Sequence, residues 1–203
     1  MTIYQSLLGE NFNRLHPMLQ QRYALPIDQP FSATGVMKKI ESGATWMRPF
    51  YTVAARTNFL FPESGENVPF SIRNTCKVLP SGELEVLWER SFYFEEKTRH
   101  FNGRMTIDPV RKVVKDYLGS PSLFYSDLHF TVTKEGRLLI RSGMQRFIIR
   151  RLELPLPKFF EGRVIVEEGF DEERQVFTIH VSIHNPLFGR LMMYAGEFTQ
   201  QSF

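Results

Sequence analysis

Hydrophobic and polar positions in Glu83–Phe94 alternate with a period of two. One side of the alternation carries Leu84, Val86, Trp88, Arg90, Phe92 and Phe94; the other carries Glu83, Glu85, Leu87, Glu89, Ser91 and Tyr93. Successive side chains of a strand point to opposite faces, so this pattern predicts a long, half-buried antiparallel strand. Arg90 is the odd member, a permanent cation in an apolar row.

The same reading extends along the chain. Residues 2–23 carry short helical pieces: Ile3, Leu7 and Leu8 keep helical spacing to a stop at Gly9, and His16-Pro17 opens a second piece, since proline suits a first helical position. Pro26 and Pro30 mark an extended connector. Residues 32–40 alternate weakly as a first strand, with Gly35 a bulge or close approach. Ala44–Leu60 is ambiguous, because its apolar spacing is helical but Pro49 must lie in the first turn. Pro62 to Pro69 reads as a loop.

From residue 69 onwards nearly everything predicts strand. Pro80-Ser81-Gly82 and Lys134-Glu135-Gly136 read as hairpin turns. Strands are expected over Arg99–Asp108, Val110–Leu118, Ser122–Thr133, Arg137–Arg150, Gly162–Phe170 and Gln175–Asn185. In Arg137–Arg150, simple alternation puts Leu138, Ile140, Met144, Arg146 and Ile148 on one side. Leu154-Pro155-Leu156-Pro157 interrupts the sheet, and a last segment ends near Phe198. Short helices followed by eight or more strands with short turns predict a mainly β (α+β) fold: an antiparallel β-barrel or strongly curved, wrapped sheet with N-terminal helices. A helix-grip fold is the rival, if Ala44–Leu60 and the last segment are both helices.

Size makes 1–203 most simply one domain, a helical segment over 1–30 and a β-rich body over 31–203. The 19 Phe, against 2 Trp and 7 Tyr, strengthen the β reading, because large aromatics suit pleated surfaces and barrel interiors. A net charge of +3 without clustered cations does not fit a nucleic-acid partner. One cysteine, Cys76, excludes an internal disulfide, and the absence of a basic, apolar leader or a long apolar run makes a cytoplasmic protein without a transmembrane segment the expectation.

A further set of residues carries a resemblance. Gly9-x-x-Phe12-x-Arg14-Leu15-His16-Pro17-x-Leu19-Gln20, Trp88-x-Arg90-x-Phe92, Leu154-Pro155-Leu156-Pro157, and Pro186-Leu187-Phe188-Gly189 running on to Tyr194-x-Gly196 occur in this order along the chain. The chain thereby resembles a bacterial family of unknown function whose domain is also found fused C-terminally to saccharopine-dehydrogenase-like oxidoreductases. The resemblance implies no catalytic residue. It implies an oxidoreductase as a possible partner and work beside a small-molecule or lipid-modifying enzyme. No dinucleotide-binding Gly-x-Gly-x-x-Gly follows any strand, so such a partner would be a separate chain.

The candidate chemistry centres on two cations. Arg90, and Arg146 between Met144 and Ile148, sit on apolar rows; a buried guanidinium needs an anionic partner. If both rows line one interior, they could hold an anionic head group beside Trp88 and Phe92. The plainer alternatives are an internal ion pair, to Glu167 or Glu197, or a row that ends in water. His16 either caps a helix or touches a ligand. His180 and His184 would stand roughly 13 Å apart on one strand, too far to share a metal ion. Glu95-Glu96 and Glu167-Glu168 read as turn or rim charges, and Cys76 as a small buried hydrophobe.

Lys158-Phe159-Phe160 is the second candidate, either a portal loop that touches an anionic membrane surface or a plug folded over one barrel end. Together these features predict a non-catalytic binder of a hydrophobic or amphipathic, anionic small molecule, with no metal and no cofactor. An enzyme or enzyme accessory in lipid or isoprenoid modification, which needs groups such as His16, Glu167 or His180 to converge, is the alternative. A protein-interaction module is a third.

Overall fold

The computed structural model describes residues 1–150 and 152–201. Two short helices, α1 (Ile3–Leu8) and α2 (Pro17–Ala24), flank a 3-10 turn at Gly9–Arg14. They lead into β1 (Phe31–Ser42), and a 3-10 turn at Thr45–Met47 continues into α3 (Arg48–Ala55). Then come β2 (Gly65–Val78), β3 (Leu84–Tyr93), β4 (Thr98–His100), β5 (Gly103–Asp108), β6 (Val113–Gly119), β7 (Ser122–Val132), β8 (Leu138–Ile149), β9 (Leu152–Pro155), β10 (Arg163–Asp171), β11 (Val176–Asn185) and β12 (Gly189–Gln200).

The strands follow the order β10-β11-β12-β1-β2-β3-β5-β6-β7-β8, and β8 pairs in turn with β10. The sheet therefore closes into an antiparallel barrel of ten strands, with β4 beside β3 and β9 beside β8 as two extra edge pieces. Closure removes the unpaired strand edges that an open sheet would present. The expectation of a barrel holds. The helix-grip rival does not, because the last segment is β12, hydrogen-bonded to β1 on one side and β11 on the other.

Local departures from the sequence reading have identifiable causes. Ala44–Leu60 is a helix for only part of its length, α3, which has Pro49 in its first turn. Arg99–Asp108 is split, since β4 and β5 pair with different parts of β3. Leu154-Pro155 does not interrupt the sheet: it ends β9, an edge strand where missing proline N–H groups are tolerated. Gly35 makes the expected close approach, for a Cβ there would fall 2.0 Å from the Glu197 carbonyl across the β1–β12 pair.

One irregularity changes which residues face inward. In β7–β8 the pairing Leu128↔Ser142 is followed by Ser126↔Gln145, which leaves an extra residue in β8. A bulge of one residue reverses the alternation beyond it. Leu138 and Ile140 are buried, but past the bulge Gln145 and Phe147 take the inner side, while Met144 is exposed. Arg146 is carried outward with it.

The N-terminal helices close one end. Ile3, Tyr4 and Leu8 of α1 and Leu19, Arg22 and Tyr23 of α2 are buried. A capping box on Thr2 and Gln5 starts α1, and His16 Nδ1 accepts the Met18 N–H to start α2. Tyr4 stands under β3, taking the Trp88 Nε1–H at 2.8 Å and meeting Met105 Sδ at 3.7 Å. At the other end Tyr51 pins α3 to β12 by donating to the Leu191 carbonyl at 2.6 Å. The outward faces of β2 and β3 pair Arg73 with Glu89 and Lys77 with Glu85, the reverse of the apolar exterior of a lipid-embedded barrel. No helix among the described residues is long and apolar enough to cross a membrane.

Candidate functional site

A cavity of about 700 Å³ occupies the lumen above Tyr4. Its wall is mostly apolar: Met105, Leu118, Phe124, Leu128, Ile140, Phe147, Val164, Val166, Ile179, Val181 and Ile183 all face it. The alternation of five strands and the β8 bulge put these residues inside. Trp46, Phe50, Leu154, Phe160 and Phe188 form the mouth between α3 and the segment after β9. Trp46, Phe50, Leu154 and Phe160 are largely exposed, with Trp46 and Phe160 packed against Phe188 at 5.5 and 6.0 Å between ring centroids. A volume of this size lies in the range typical of small-molecule sites.

A guanidinium and a carboxyl group stand in the wall, whose other polar members are Tyr125, Ser126, Gln145 and Tyr194. Arg90 is 7% exposed, and its guanidinium lies 4.2 Å from the Phe101 ring centroid and 5.5 Å from that of Trp88. Nε donates to the Phe101 carbonyl at 2.7 Å and Nη1 to Tyr194 Oη at 3.2 Å. Both partners are neutral, and no hydrogen bond from Nη2 to a described residue forms. Asp116, 5% exposed, rises from β6 over Gly103 of β5, where a Cβ would fall 2.7 Å from its Oδ1. That glycine is what gives the carboxylate room. Oδ1 is buried without a hydrogen-bond partner among the described residues, and Asp116 and Arg90 do not form an ion pair. Burial pushes the Asp116 carboxyl up to about 7, against the pull of the Arg90 charge.

A second arginine in the lumen, Arg22 from α2, escaped the sequence reading. It is 3% exposed, and its Nη2 donates to Glu168 at 3.3 Å while Tyr23 Oη donates to the same carboxylate at 2.8 Å. The rings of Phe31 and Phe198 flank it at 4.7 and 4.8 Å. Glu168 was expected at a rim; it is instead buried on the inward row of β10 behind Val164 and Val166. That row was visible as an alternation, and Leu19, Arg22 and Tyr23 shared a helical face. Arg22 thus has a carboxylate of its own, and Arg90 is paired with none among the described residues.

The remaining candidates fall in separate places. Trp88 lines the cavity beside Arg90, and Phe92, fully buried, packs below it on Phe61, Phe70 and Tyr194. Arg146 does not share the lumen: the bulge turns it to the outer face, where Nη1 donates to Glu153 at 2.7 Å and the guanidinium covers Tyr125. Its expected partners lie elsewhere, Glu167 with Arg137 and Glu197 with Arg174 and Lys38. His16 is also away from the cavity. It caps α2, stacks on Phe170 at 5.1 Å and meets Glu172 at 2.7 Å. Glu167 and His180 stand opposite each other across β10 and β11, but none of the three lines the cavity, so His16, Glu167 and His180 do not converge on it. Phe160 stands at the mouth against Phe159, with ring centroids 4.5 Å apart, and both are exposed beside Lys158. No group of three His, Cys, Asp or Glu side chains among the described residues could hold a metal ion.

These features define a class: an antiparallel β-barrel closed at one end by helices, with an apolar lumen open at the other and a polar pair set in its wall. Within that class, the chain belongs to the family described as Domain of unknown function (DUF4166), which matches residues 15–198. Among curated proteins it is similar to "Uncharacterized protein YndH" of Bacillus subtilis (strain 168), 36% identical over 191 residues, or 94% of this chain and 93% of the relative. No solved structure matches.

Proposed function

We propose that the protein is a non-catalytic binder that holds an amphipathic small molecule in its barrel, the apolar part in the lumen and the polar end at Arg90. One observation carries this reading. A buried guanidinium faces an open apolar cavity with only neutral protein partners, although an isolated buried charge is costly and is normally paired. A bound acceptor group would complete it, and the aromatic and aliphatic wall would take the tail.

Lys158, Phe159 and Phe160 belong to the same reading as a portal. Exposed aromatics with a neighbouring cation at a cavity mouth suit transfer of an amphiphile from an anionic surface. A separate oxidoreductase that supplies or consumes the ligand is compatible with it.

The test is direct. Protein purified without detergent is analysed by native mass spectrometry before and after solvent extraction, and the stripped protein is titrated with long-chain carboxylates. Arg90→Met should weaken binding about 10- to 100-fold, the effect of losing one charge-assisted hydrogen bond of about 1.5–3 kcal/mol. A folded Arg90→Met protein with unchanged affinity would refute the anchor.

A further inference from the structure

Resting on that binding role, we infer that the site takes a carboxylate-headed amphiphile together with one proton, which resides on Asp116. The argument is one of charge and hydrogen-bond supply. With Asp116 ionised, the polar pair is neutral overall, and an arriving anion would leave a net negative charge buried in an apolar lumen. Protonating Asp116 restores neutrality, with Arg90 positive, the head group negative and the aspartic acid uncharged.

The same proton turns a repelling acceptor into a donor. Arg90 Nη2 has no partner among the described residues, Tyr194 Oη accepts from Arg90 and so keeps its own proton to give, and a protonated Asp116 adds a third donor. Three donors lining one cavity suit an oxygen anion that only accepts. A neutral alcohol head, which must also donate, would instead favour the ionised aspartate and take up no proton.

The other charged groups facing this point leave Asp116 as the one that responds. From β3 comes Arg90, which stays charged; from α1 the Tyr4 phenol and from β12 the Tyr194 phenol, both raised by burial above the ordinary tyrosine range. Deeper in the lumen, Arg22 and Glu168 are committed to each other. On β7 the neighbouring Asp127 is held by Arg111 and Tyr125 on the outer side. Burial, which keeps the Asp116 proton to about 7 in the free protein, is strengthened when an anion sits beside it.

The experiment titrates the stripped protein with laurate, with dodecanesulfonate, whose head does not titrate, and with dodecanol, at several values between pH 6 and pH 9. Affinity for laurate and for the sulfonate should fall about tenfold per pH unit above about pH 7, the slope of one linked proton. Asp116→Asn should bind both with no pH slope. In calorimetry with buffers of different ionisation enthalpy, the unmodified protein should take up about one proton per laurate at pH 8, a readout that does not depend on the variant's folding. Flat affinity with no proton uptake, an unchanged slope in Asp116→Asn, or dodecanol binding as tightly as laurate at pH 8 would overturn the proton-coupled site while leaving a binding barrel. Failure of all three probes at every pH would overturn the binding role and this inference with it.

Discussion

Asp116→Asn should make the free protein's stability less dependent on pH, and the size of the effect follows from the site. In the unfolded chain the carboxyl titrates at its ordinary 3.8; in the folded barrel burial raises it to about 7. Between those values the folded state binds more protons than the unfolded one, so stability falls as pH rises through the window. At about 1.4 kcal/mol per unit, the full cost above pH 7 has a ceiling of about 4 kcal/mol. Asparagine cannot ionise, so it escapes this cost. Its amide introduces donors where Oδ1 already lacks a partner, which costs about 1–3 kcal/mol at every pH. The stability difference between variant and parent should therefore shift towards the variant by up to about 4 kcal/mol from pH 4 to pH 7.5 and then level off. Urea unfolding followed by the fluorescence of Trp46 and Trp88, at pH 4.5, 5.5, 6.5 and 7.5, measures it. Parallel curves for the two proteins would show that Asp116 keeps an ordinary acidity, and the account of the cavity as a dry, low-dielectric enclosure would fail.

Three further outcomes are expected. His16→Ala removes the side-chain acceptor at the start of α2 and should cost about 1 kcal/mol in chemical denaturation, with laurate affinity unchanged because His16 lies away from the cavity. Phe159→Ser with Phe160→Ser should reduce cosedimentation with anionic vesicles and slow ligand uptake from them, while equilibrium affinity for dissolved ligand changes less than threefold; unaltered transfer rates would remove the portal. Gly103→Ala puts a methyl 2.7 Å from Asp116 Oδ1 and should weaken laurate binding by displacing the carboxylate, read by the same titration.

Much of the barrel is legible because its wall obeys simple alternation. Val86, Trp88, Arg90 and Phe92 keep one side over the whole of β3, and the placement of Arg90 inside follows from that row alone. Arg146 shows where the method stops. The inserted residue in β8 leaves no clear mark beyond Gly143, yet it reverses every later side chain of the strand. Asp116 was illegible for a different reason. It lies on β6, whose sequence Val113-Val114-Lys115-Asp116-Tyr117 mixes polar residues on both faces, and its environment is made by Gly103 of a neighbouring strand. Arg90 of β3 and Asp116 of β6 are separated by β5 alone, so their nearness follows from the β3-β5-β6 order, which the sequence leaves open because β4 intervenes as an edge piece. Glu168 and Arg22 had usable signals, an inward row and a helical face, but joining them requires knowing that α2 enters the barrel.

The two lumen arginines allow the binding reading to be tested inside a single fold. Arg22 and Arg90 are both almost fully buried and both stacked on aromatic rings, so replacement by methionine removes the same charge and nearly the same volume from each. Their partners differ. Loss of Arg22 leaves the buried Glu168 carboxyl with Tyr23 as its remaining hydrogen-bond partner among the described residues, and removing one member of a buried pair costs about 3–5 kcal/mol. Loss of Arg90 releases two neutral hydrogen-bond partners, the Phe101 carbonyl and the Tyr194 hydroxyl, and leaves an Asp116 carboxyl that burial already keeps protonated up to about 7, so at pH 6 it should cost about 1–2 kcal/mol. Urea unfolding should rank Arg22→Met as much the less stable protein, and ligand titration should rank Arg90→Met as much the weaker binder. If Arg90→Met proves the more destabilising and leaves ligand affinity intact, then Arg90 is a structural cation completed by its own barrel.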